Sequence, residues 1–205
     1  MSITKSIVDF ALLGAEWVMW ALVLCSVLSI AIMIERIFYF KRNKGNVADL
    51  KKNIDQAFSS GDQPKLNSGS IPSRVAASGL QNLSLGPKAV DEAMQGELQA
   101  AKIDFSKRLV ILGTLGNNAP FIGLFGTVLG IISAFHRLKA NPTGGIDLVM
   151  GAVAEALAAT AVGIAVAIPA VIAYNLLGRW VRTEISKAET VSHTILSQVH
   201  GKDKS

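Results

Sequence analysis

Three long apolar runs constrain this chain more than any other feature of its sequence. They cover residues 17–34, 109–135 and 148–178, and the only Asp, Glu, Lys or Arg within them is Glu155. Each run reaches the ~18 residues that indicate a membrane-spanning helix. Charged residues make up 17% of the chain, against about 25% in soluble domains. The sequence therefore predicts an all-α membrane protein with three transmembrane helices.

The distribution of basic residues predicts how these helices cross the membrane. Of the 20 Lys and Arg residues, 12 lie in the stretch 36–108 and 5 lie in the tail from Arg179. Lys and Arg accumulate in the cytoplasmic segments of membrane proteins, so we expect the N-terminus outside and the C-terminus inside. The predicted segments are an outer-face amphipathic helix at 1–16, transmembrane helices at 17–38, 109–136 and 148–178, a cytoplasmic helical region at 39–108, a periplasmic loop at 137–147 and a cytoplasmic tail helix at 179–205.

Turn-forming residues predict where the helices begin and end. The stretch 47–58 has the pattern of one helix, and Gly86-Pro87 opens another, because proline is tolerated in the first turn of a helix. No strong breaker precedes residue 109, so this helix is expected to continue from the cytoplasmic region into the second span. The sequence Asn-Pro-Thr-Gly-Gly at 141–145 predicts a turn that makes the second and third spans an antiparallel hairpin.

Glu155 is the residue in these spans that most needs an explanation. A charge at the centre of a membrane helix costs at least about 2.5–3.5 kcal/mol, and such a residue is a functional candidate by default. Counted from the outer end of the hairpin at ~1.5 Å per residue, Glu155, Thr127 and Thr160 lie about 12, 15 and 20 Å deep. The three side chains could form a polar ladder, although Thr160 lies about 140° from Glu155 around the helix.

Structural alternatives remain open for these three residues. Glu155 could hydrogen-bond between helices, and threonines in membrane helices commonly bond the backbone of their own helix. A carboxylate that exchanges protons also needs water, and three helices cannot enclose a water path by themselves. A proton-carrying function therefore predicts an oligomer, a partner helix, or both.

Small residues on the second and third spans predict that these helices pack closely. Glycine and alanine let two membrane helices approach each other, and several of them lie near Thr127 or Glu155 around their helices. The predicted packing residues are Gly116, Pro120, Gly123, Gly126, Gly130, Ala152, Ala159 and Pro169.

Other kinds of site find little support in the sequence. Cys25 is the only cysteine, so neither a disulfide within the chain nor a cysteine-based metal site is expected. The three histidines are scattered, and the sequence contains no phosphate-binding loop, nucleophile motif or paired carboxylates. Basic and aromatic residues do not alternate as stacking on nucleic acid requires. We expect neither an enzyme nor a cofactor, a metal or a nucleic-acid partner.

Two motifs in the predicted hairpin resemble the ExbB/TolQ/MotA family of proton-channel proteins. The first motif is Ala-Pro-Phe-Ile-Gly-Leu-Phe-Gly-Thr-Val-Leu-Gly-Ile at 119–131, and the second is Ala-Glu-Ala-Leu-Ala-Ala-Thr-Ala-Val-Gly at 154–163. The second is extended by Ala-Ile-Pro-Ala-Val at 167–171 and by Tyr174-Asn175. Three spans with one large cytoplasmic region are most similar to the ExbB/TolQ branch, because MotA-type members have four spans.

The resemblance implies a fold and a mechanism. Such proteins form a ring, typically a pentamer, in the bacterial inner membrane, around the single spans of two partner chains of the ExbD/TolR type. The partner supplies an essential aspartate, and proton flow turns the ring relative to the partner, with the work passed across the periplasm, in some systems to a TonB- or TolA-type protein. By this resemblance Thr127, Glu155 and Thr160 line the pore. The resemblance implies H⁺ as the coupling ion, while the residues alone leave Na⁺ open.

The chain departs from the well-known ExbB and TolQ members in one place. They carry Ala-Pro-Gly just before the acidic motif, where this chain has Met150-Gly151-Ala152. The missing proline predicts a straighter start of the third span. TonB-type import, Tol-type envelope maintenance and gliding motility all use such rings, so the system served stays open. The alternative function is a structural membrane scaffold in which Glu155 only bonds helices together.

Overall fold

The computed structural model describes residues 15–60, 66, 69–140 and 145–202. Over these residues the chain forms α-helices and one 3₁₀ turn, without a β-strand. Helices α1, α5 and α6 are long and apolar enough to cross a membrane, which confirms the prediction of an all-α protein with three spans. The helices are α1 (Glu16–Arg42), α2 (Val47–Ser60), α3 (Ile71–Gln81), α4 (Pro87–Ser106), α5 (Leu109–Ala140) and α6 (Gly145–Lys202), with the 3₁₀ turn at Leu83–Leu85.

Local sequence explains where the shorter helices begin. Ser70 caps α3, because its side-chain oxygen accepts a 3.4 Å hydrogen bond from the Ser73 amide. Helix α4 begins at Pro87, directly after Gly86, whose φ of 89° favours a residue without a Cβ. The predicted helices at 47–58 and after Gly86 are both confirmed.

The chain divides into two compact units. Unit 1 contains Met1–Ile34 and Arg108–Asn175, and unit 2 contains Glu35–Lys107 and Leu176–Ser205. Helices α1 and α6 contribute residues to both units, so unit 1 holds the most apolar parts of the long helices and unit 2 holds α2, α3 and α4. The three residues that the resemblance places in the pore, Thr127, Glu155 and Thr160, all belong to unit 1.

Side chains from α1, α5 and α6 form the core of unit 1. Val18 and Leu22 lie one turn apart on α1 and are both fully buried. The N-terminal part of α1 therefore packs against the hairpin formed by α5 and α6. The buried members of this core are Val18, Leu22, Ala119, Leu129, Val166 and Ala167.

Stacked aromatic rings and a buried arginine hold helices of unit 2 together. The Phe40 ring stacks on Trp180, with centroids 4.4 Å apart, and on Phe105, with centroids 6.0 Å apart. The Arg36 guanidinium is buried and lies 4.9 Å from the centre of the Tyr39 ring, close enough for a cation–π contact. These contacts join the unit 2 segments of α1, α4 and α6.

A second arginine links α3 to α4 within unit 2. Arg74 donates hydrogen bonds to Glu97 (2.7 Å) and to Asp104 (3.1 Å). Burial by itself lowers the pKa of Arg74, but the hydrogen bonds and negative charges of the two carboxylates outweigh it and raise that pKa above its usual value. The guanidinium therefore stays charged and keeps both carboxylates as partners.

The predicted continuous helix from the cytoplasmic region into the second span is wrong. Helix α4 ends at Ser106, Lys107 is extended (φ −54°, ψ 138°) and Arg108 has a φ of 67°. Phe105 is fully buried in unit 2 and Leu109 is buried in unit 1. A continuous helix would place these two side chains on one face, whereas the structure buries them in different units.

Two further predicted boundaries differ from the structure or fall outside it. Helix occupies most of the predicted periplasmic loop at 137–147, and residues 141–144 lie outside the described residues. Arg137 and Lys139 in the last turn of α5 favour this extension, because cations stabilise a helix C-terminus. The predicted amphipathic helix at 1–16 lies outside the described residues except for its last two.

Candidate functional site

Two glycines bring the backbones of α5 and α6 into contact. A Cβ added at Gly123 would lie 2.6 Å from the carbonyl oxygen of Ala159, and one added at Gly163 would lie 2.7 Å from the carbonyl oxygen of Ala119. Real Cβ atoms essentially never come closer than 3.0 Å to such atoms. The two helices therefore cross at a point where only glycine fits on either side.

Other predicted packing residues extend this contact along the hairpin. Ala159 is fully buried, and Pro120 and Ala152 are half-buried. Pro169 is exposed on the single chain, so its packing role stays a prediction. Helix α6 continues past Pro169 without interruption into the predicted tail helix. The close contacts of the remaining α5 glycines are Gly116 with Val171, Gly126 with Val18 and Ala159, and Gly130 with Ala156.

Thr127 and Thr160 join α5 to α6 through their side chains. The Thr127 hydroxyl donates to the Gly123 carbonyl oxygen (3.1 Å), and the two threonine hydroxyls are hydrogen-bonded to each other. A hydroxyl has one proton to donate, so Thr160 is the donor to Thr127. Thr127 is only 7% exposed, which makes the pair a polar link inside the apolar packing of unit 1.

Glu155 does not take part in that pair. It is exposed on the single chain, about 140° around α6 from Thr160. Of the three predicted pore-lining residues, the structure thus brings Thr127 and Thr160 together and places Glu155 on an open face of α6. A ladder of all three side chains is not formed within the described chain.

Glu155 lines a cavity of about 160 Å³ in unit 1, which we call the hairpin cavity. Its walls come from the start of α1, the last turns of α5 and the first turns of α6. Small residues complete these walls: Ala15, Gly130, Ala152 and Ala156. The polar side chains that line it are Glu16, Ser133, Arg137 and Glu155.

Sequence reasoning missed Glu16, Ser133 and Arg137 as neighbours of Glu155. Gly130, Ser133 and Arg137 recur at spacings of three and four residues, which places them on one face of α5. That signal was available in the sequence. The position of Glu16 was not, because it depends on how α1 packs against the hairpin.

The hairpin cavity does not have the residues of a metal site. Across the described residues, no three His, Cys, Asp or Glu side chains come close enough together to hold a metal ion. The cavity offers two carboxylates, one guanidinium and one hydroxyl, all of which hydrogen-bond water. The described lining residues therefore include groups that can bond water, which proton exchange requires.

Comparison with protein families matches residues 67–190 to the MotA/TolQ/ExbB proton channel family. The matched segment covers more than half of the chain. It contains the glycine contact between α5 and α6, together with Thr127, Glu155 and Thr160. Most of the candidate site therefore lies within the matched segment, and Glu16 lies outside it.

Individual relatives carry names from the same family. The chain is 39% identical over 106 residues to the biopolymer transport protein ExbB of Xanthomonas campestris pv. campestris, which covers 52% of this chain and 42% of the relative. It is 30% identical over 175 residues to ExbB of Pseudomonas putida, covering 79% and 53%. It is 44% identical over 96 residues to a putative ExbB-like protein of Helicobacter pylori, covering 46% and 63%. The chain spans about half the length of these relatives.

The family match and the three apolar helices agree on the class of protein. Helices α1, α5 and α6 are long and apolar enough to cross a membrane, as expected of a multi-pass inner-membrane protein. The resemblance carried by the two hairpin motifs is confirmed by the match over residues 67–190. The chain belongs to the MotA/TolQ/ExbB proton channel family.

Proposed function

We propose that this chain is the ring subunit of a proton-driven motor in the bacterial inner membrane. Several copies, five by the family resemblance, surround the single spans of two ExbD/TolR-type partner chains. Protons cross where ring and partner meet, and the resulting rotation transmits work across the periplasm. The basic residues support an outer N-terminus and a cytoplasmic C-terminus.

The open position of Glu155 carries this proposal. A carboxylate whose task is to bond α5 to α6 would lie between these helices, as the Thr127–Thr160 pair does. Glu155 is instead exposed on the single chain and lines the hairpin cavity. Because a charged group in a membrane helix needs a partner or water, this position favours a second chain or water at the same face.

Small residues beside Glu155 leave room for a second helix. Gly151 and Ala158, and Pro169 about 21 Å further along the helix, lie within about 60° of Glu155 around α6, and all three are exposed on the single chain. Such faces let membrane helices approach closely. A partner span on this face would bring its own acidic side chain near Glu155, and a proton could then pass from one carboxylate to the other.

The threonine pair and the glycine contact support this face from behind. Thr160 follows Glu155 by five residues, or about 7.5 Å along α6, and its bond to Thr127 fixes α6 against α5. In the proposed function the hairpin therefore acts as a rigid support that holds Glu155 at a constant depth while the partner moves past it.

The proposal is tested by replacing Glu155 in the ring reconstituted with its single-span partner. Glu155→Gln keeps the size of the side chain and removes its titratable proton, and Glu155→Ala removes the carboxyl group altogether. We expect voltage-driven proton uptake into proteoliposomes to be lost in both variants, while native mass spectrometry finds rings of unchanged mass. Glu189→Gln is the matched control, because Glu189 is an exposed carboxylate on the unit 2 part of α6.

The same measurements separate the scaffold alternative. If Glu155 only bonds helices together, the Glu155→Ala ring fails to assemble. Proton uptake at the parent rate by assembled Glu155→Ala rings would overturn the proton-carrying role.

The names of the relatives favour one of the three systems that use such rings. The Xanthomonas and Pseudomonas relatives are called biopolymer transport protein ExbB, which favours TonB-type import over envelope maintenance or gliding. This assignment is tested by expressing the chain with its partner in a strain that lacks its own import motor. Restored uptake of a TonB-dependent substrate supports it, and restored envelope integrity without uptake contradicts it.

A further inference from the structure

The hairpin cavity has a closed floor and a polar rim. Ser133 is 6% exposed, and Gly130 and Ala156 at the floor are buried. In contrast, Glu16 and Arg137 are exposed, as is Glu155. The charged groups thus form the more exposed part of the lining, and small or hydroxyl side chains form its buried part.

The cavity is large enough and polar enough to hold water. Its volume of about 160 Å³ corresponds to about five waters at ~30 Å³ each. Water occupies a cavity when several polar groups can bond it, whereas purely apolar cavities stay dry. The carboxylates of Glu16 and Glu155, the Arg137 guanidinium and the Ser133 hydroxyl meet that condition.

The base of the cavity stops water from continuing along the hairpin. At Gly130 a Cβ would lie 3.2 Å from the Cα of Ala156, so α5 and α6 are in contact there. The Thr127–Thr160 pair follows about one turn deeper on both helices. Water in the cavity therefore reaches the depth of Glu155 from the hairpin end, where α5 ends and α6 begins. It goes no further between these two helices.

One-sided access of this kind is what a proton-driven device requires. If water reached Glu155 from both membrane faces, protons would cross without turning the ring. Because α5 and α6 are in contact at Gly130 and Ala156, the cavity gives no route between these two helices to the opposite face, and the opposite exit then depends on the moving partner.

We propose that the hairpin cavity is a water-filled antechamber through which protons reach Glu155 from the periplasmic side, with Glu16 at its rim favouring the entry of cations. This inference rests on the proposed function for the orientation of the hairpin and for the use of Glu155. Among the described lining residues, two carboxylates against one guanidinium give a net negative charge when all three groups are ionised, which attracts cations over distances of several ångströms.

The antechamber is tested by the reactivity of a cysteine at its base. Ser133→Cys is made in a Cys25→Ala background, so that the new thiol is the only one, and Ile132→Cys in the same background is the control. Ile132 lies at the same depth but on the exposed apolar surface of α5. Right-side-out vesicles that contain the complete complex are treated with a membrane-impermeant cationic methanethiosulfonate.

We expect Ser133→Cys to react at least about tenfold faster than Ile132→Cys, because only a hydrated thiol forms the reactive thiolate readily. Inverted vesicles should show no such difference. Equal rates at the two positions would mean that lipid or a neighbouring chain fills the cavity, and would overturn the proposal. Fast reaction from the cytoplasmic side alone would overturn it as well.

The role of Glu16 is tested by comparing the rates at which a cationic and an anionic methanethiosulfonate react with Ser133→Cys. Glu16→Gln should lower the rate ratio of the cationic to the anionic reagent at Ser133→Cys by about two- to fourfold. Asp147→Asn is the matched control, because it removes one exposed carboxylate from the same end of the hairpin without lining the cavity. An unchanged ratio in Glu16→Gln, or an equal fall in Asp147→Asn, would remove Glu16 from the proposal.

Filling the cavity provides the link to transport. Ala152→Leu adds bulk to a wall of the cavity, and we expect it to slow proton uptake at least about tenfold in rings of normal mass. Parent uptake in rings that carry Leu at this position would overturn the antechamber.

Thiol reactivity is measured without proton transport, so slow Ser133→Cys labelling beside the expected loss of uptake in Glu155→Ala would overturn the antechamber alone. Fast labelling beside normal uptake by Glu155→Ala would overturn the proposed use of Glu155 and leave only the hydration of the cavity established.

Discussion

Gly123 of α5 and Gly163 of α6 face each other with no side chain between them. A Cβ at either position would lie only 3.1–3.2 Å from the Cα of the other. The nearest obstacles are backbone atoms, which cannot rotate away as the end of a flexible side chain can. The separation of the two helices is therefore set by these two glycines, and the Thr127–Thr160 bond depends on that separation.

Gly123→Ala should destabilise the hairpin even though alanine is the better helix former. The added methyl group would meet the Ala159 carbonyl oxygen at 2.6 Å, so α5 and α6 must move apart at a cost of about 1–3 kcal/mol. Gly151→Ala is the matched control, because an added Cβ there meets nothing within 4 Å and alanine gains about 0.5–1 kcal/mol of helix stability. Thermal unfolding of the detergent-solubilised chain should show opposite signs for the two changes, and equal stability of Gly123→Ala and the parent would contradict the contact.

A double-mutant cycle on Thr127 and Thr160 should measure their hydrogen bond. Thr127→Val and Thr160→Val each remove it while keeping the shape of the side chain, and the double variant loses it only once. Interhelical hydrogen bonds in membranes average about 0.6 kcal/mol and reach about 1.7, so a coupling energy in this range is expected from unfolding in detergent. Thr160→Ser keeps the donor hydroxyl and should retain most of the stability. Additive effects of the two Val changes would show that the bond contributes nothing to stability.

Periodicity and charge count predicted the three spans because membrane helices must satisfy their backbone internally and exclude charge. The same reasoning placed Thr127 and Thr160 at related depths, and these side chains meet in the structure. Depth alone grouped Glu155 with them, whereas the angle of about 140° between Glu155 and Thr160 around the helix already indicated that both cannot point straight at one axis. The approach of Glu16 to the hairpin depends on tertiary packing, which has no local signature.

The break at Lys107–Arg108 escaped the sequence for a different reason. Neither residue is a typical helix breaker, and the left-handed conformation of Arg108 stands between Phe105, which is buried in unit 2, and Leu109, which is buried in unit 1. The break appears in the sequence only as two charged residues between apolar ones.

Substitutions at Arg108 should follow the sign of its φ angle. At a φ of 67° a residue with a Cβ is strained by about 1–2 kcal/mol and a β-branched residue by more, so Arg108→Gly should be more stable than Arg108→Val by at least about 1 kcal/mol. Both variants lose the same arginine side chain, so that loss cancels in the comparison. At Lys107, whose φ is −54° and ψ is 138°, the order should reverse, because valine suits extended backbone and glycine is entropically costly. If Arg108→Val is as stable as Arg108→Gly in thermal unfolding, the left-handed conformation of Arg108 is contradicted.

The buried carboxylate of Glu184 should make unit 2 sensitive to the loss of one lysine. Glu184 is 1% exposed, and its Oε1 accepts a 2.7 Å hydrogen bond from Lys187, whose side chain is 38% exposed. Its Oε2 is buried with no hydrogen-bond partner among the described residues. Removing one member of a fully buried pair costs about 3–5 kcal/mol, and the partial exposure of Lys187 reduces the expected cost of Lys187→Met to about 1–3 kcal/mol.

Two further variants separate the buried charge from lost lysine packing. Replacing both Glu184 and Lys187 by Met removes the charge together with its partner and should recover the stability lost in Lys187→Met, since apolar replacement of a buried pair is often neutral or stabilising. Lys88→Met breaks the exposed pair with Glu92, whose charged atoms are 4.0 Å apart, and should change stability by less than about 0.5 kcal/mol. The fluorescence of Trp180, which stacks on Phe40 in unit 2, reports unfolding of this unit once the other two tryptophans are replaced by Phe. If the double Met variant is as unstable as Lys187→Met alone, the lysine stabilises unit 2 through its packing and the buried charge of Glu184 is not the cause.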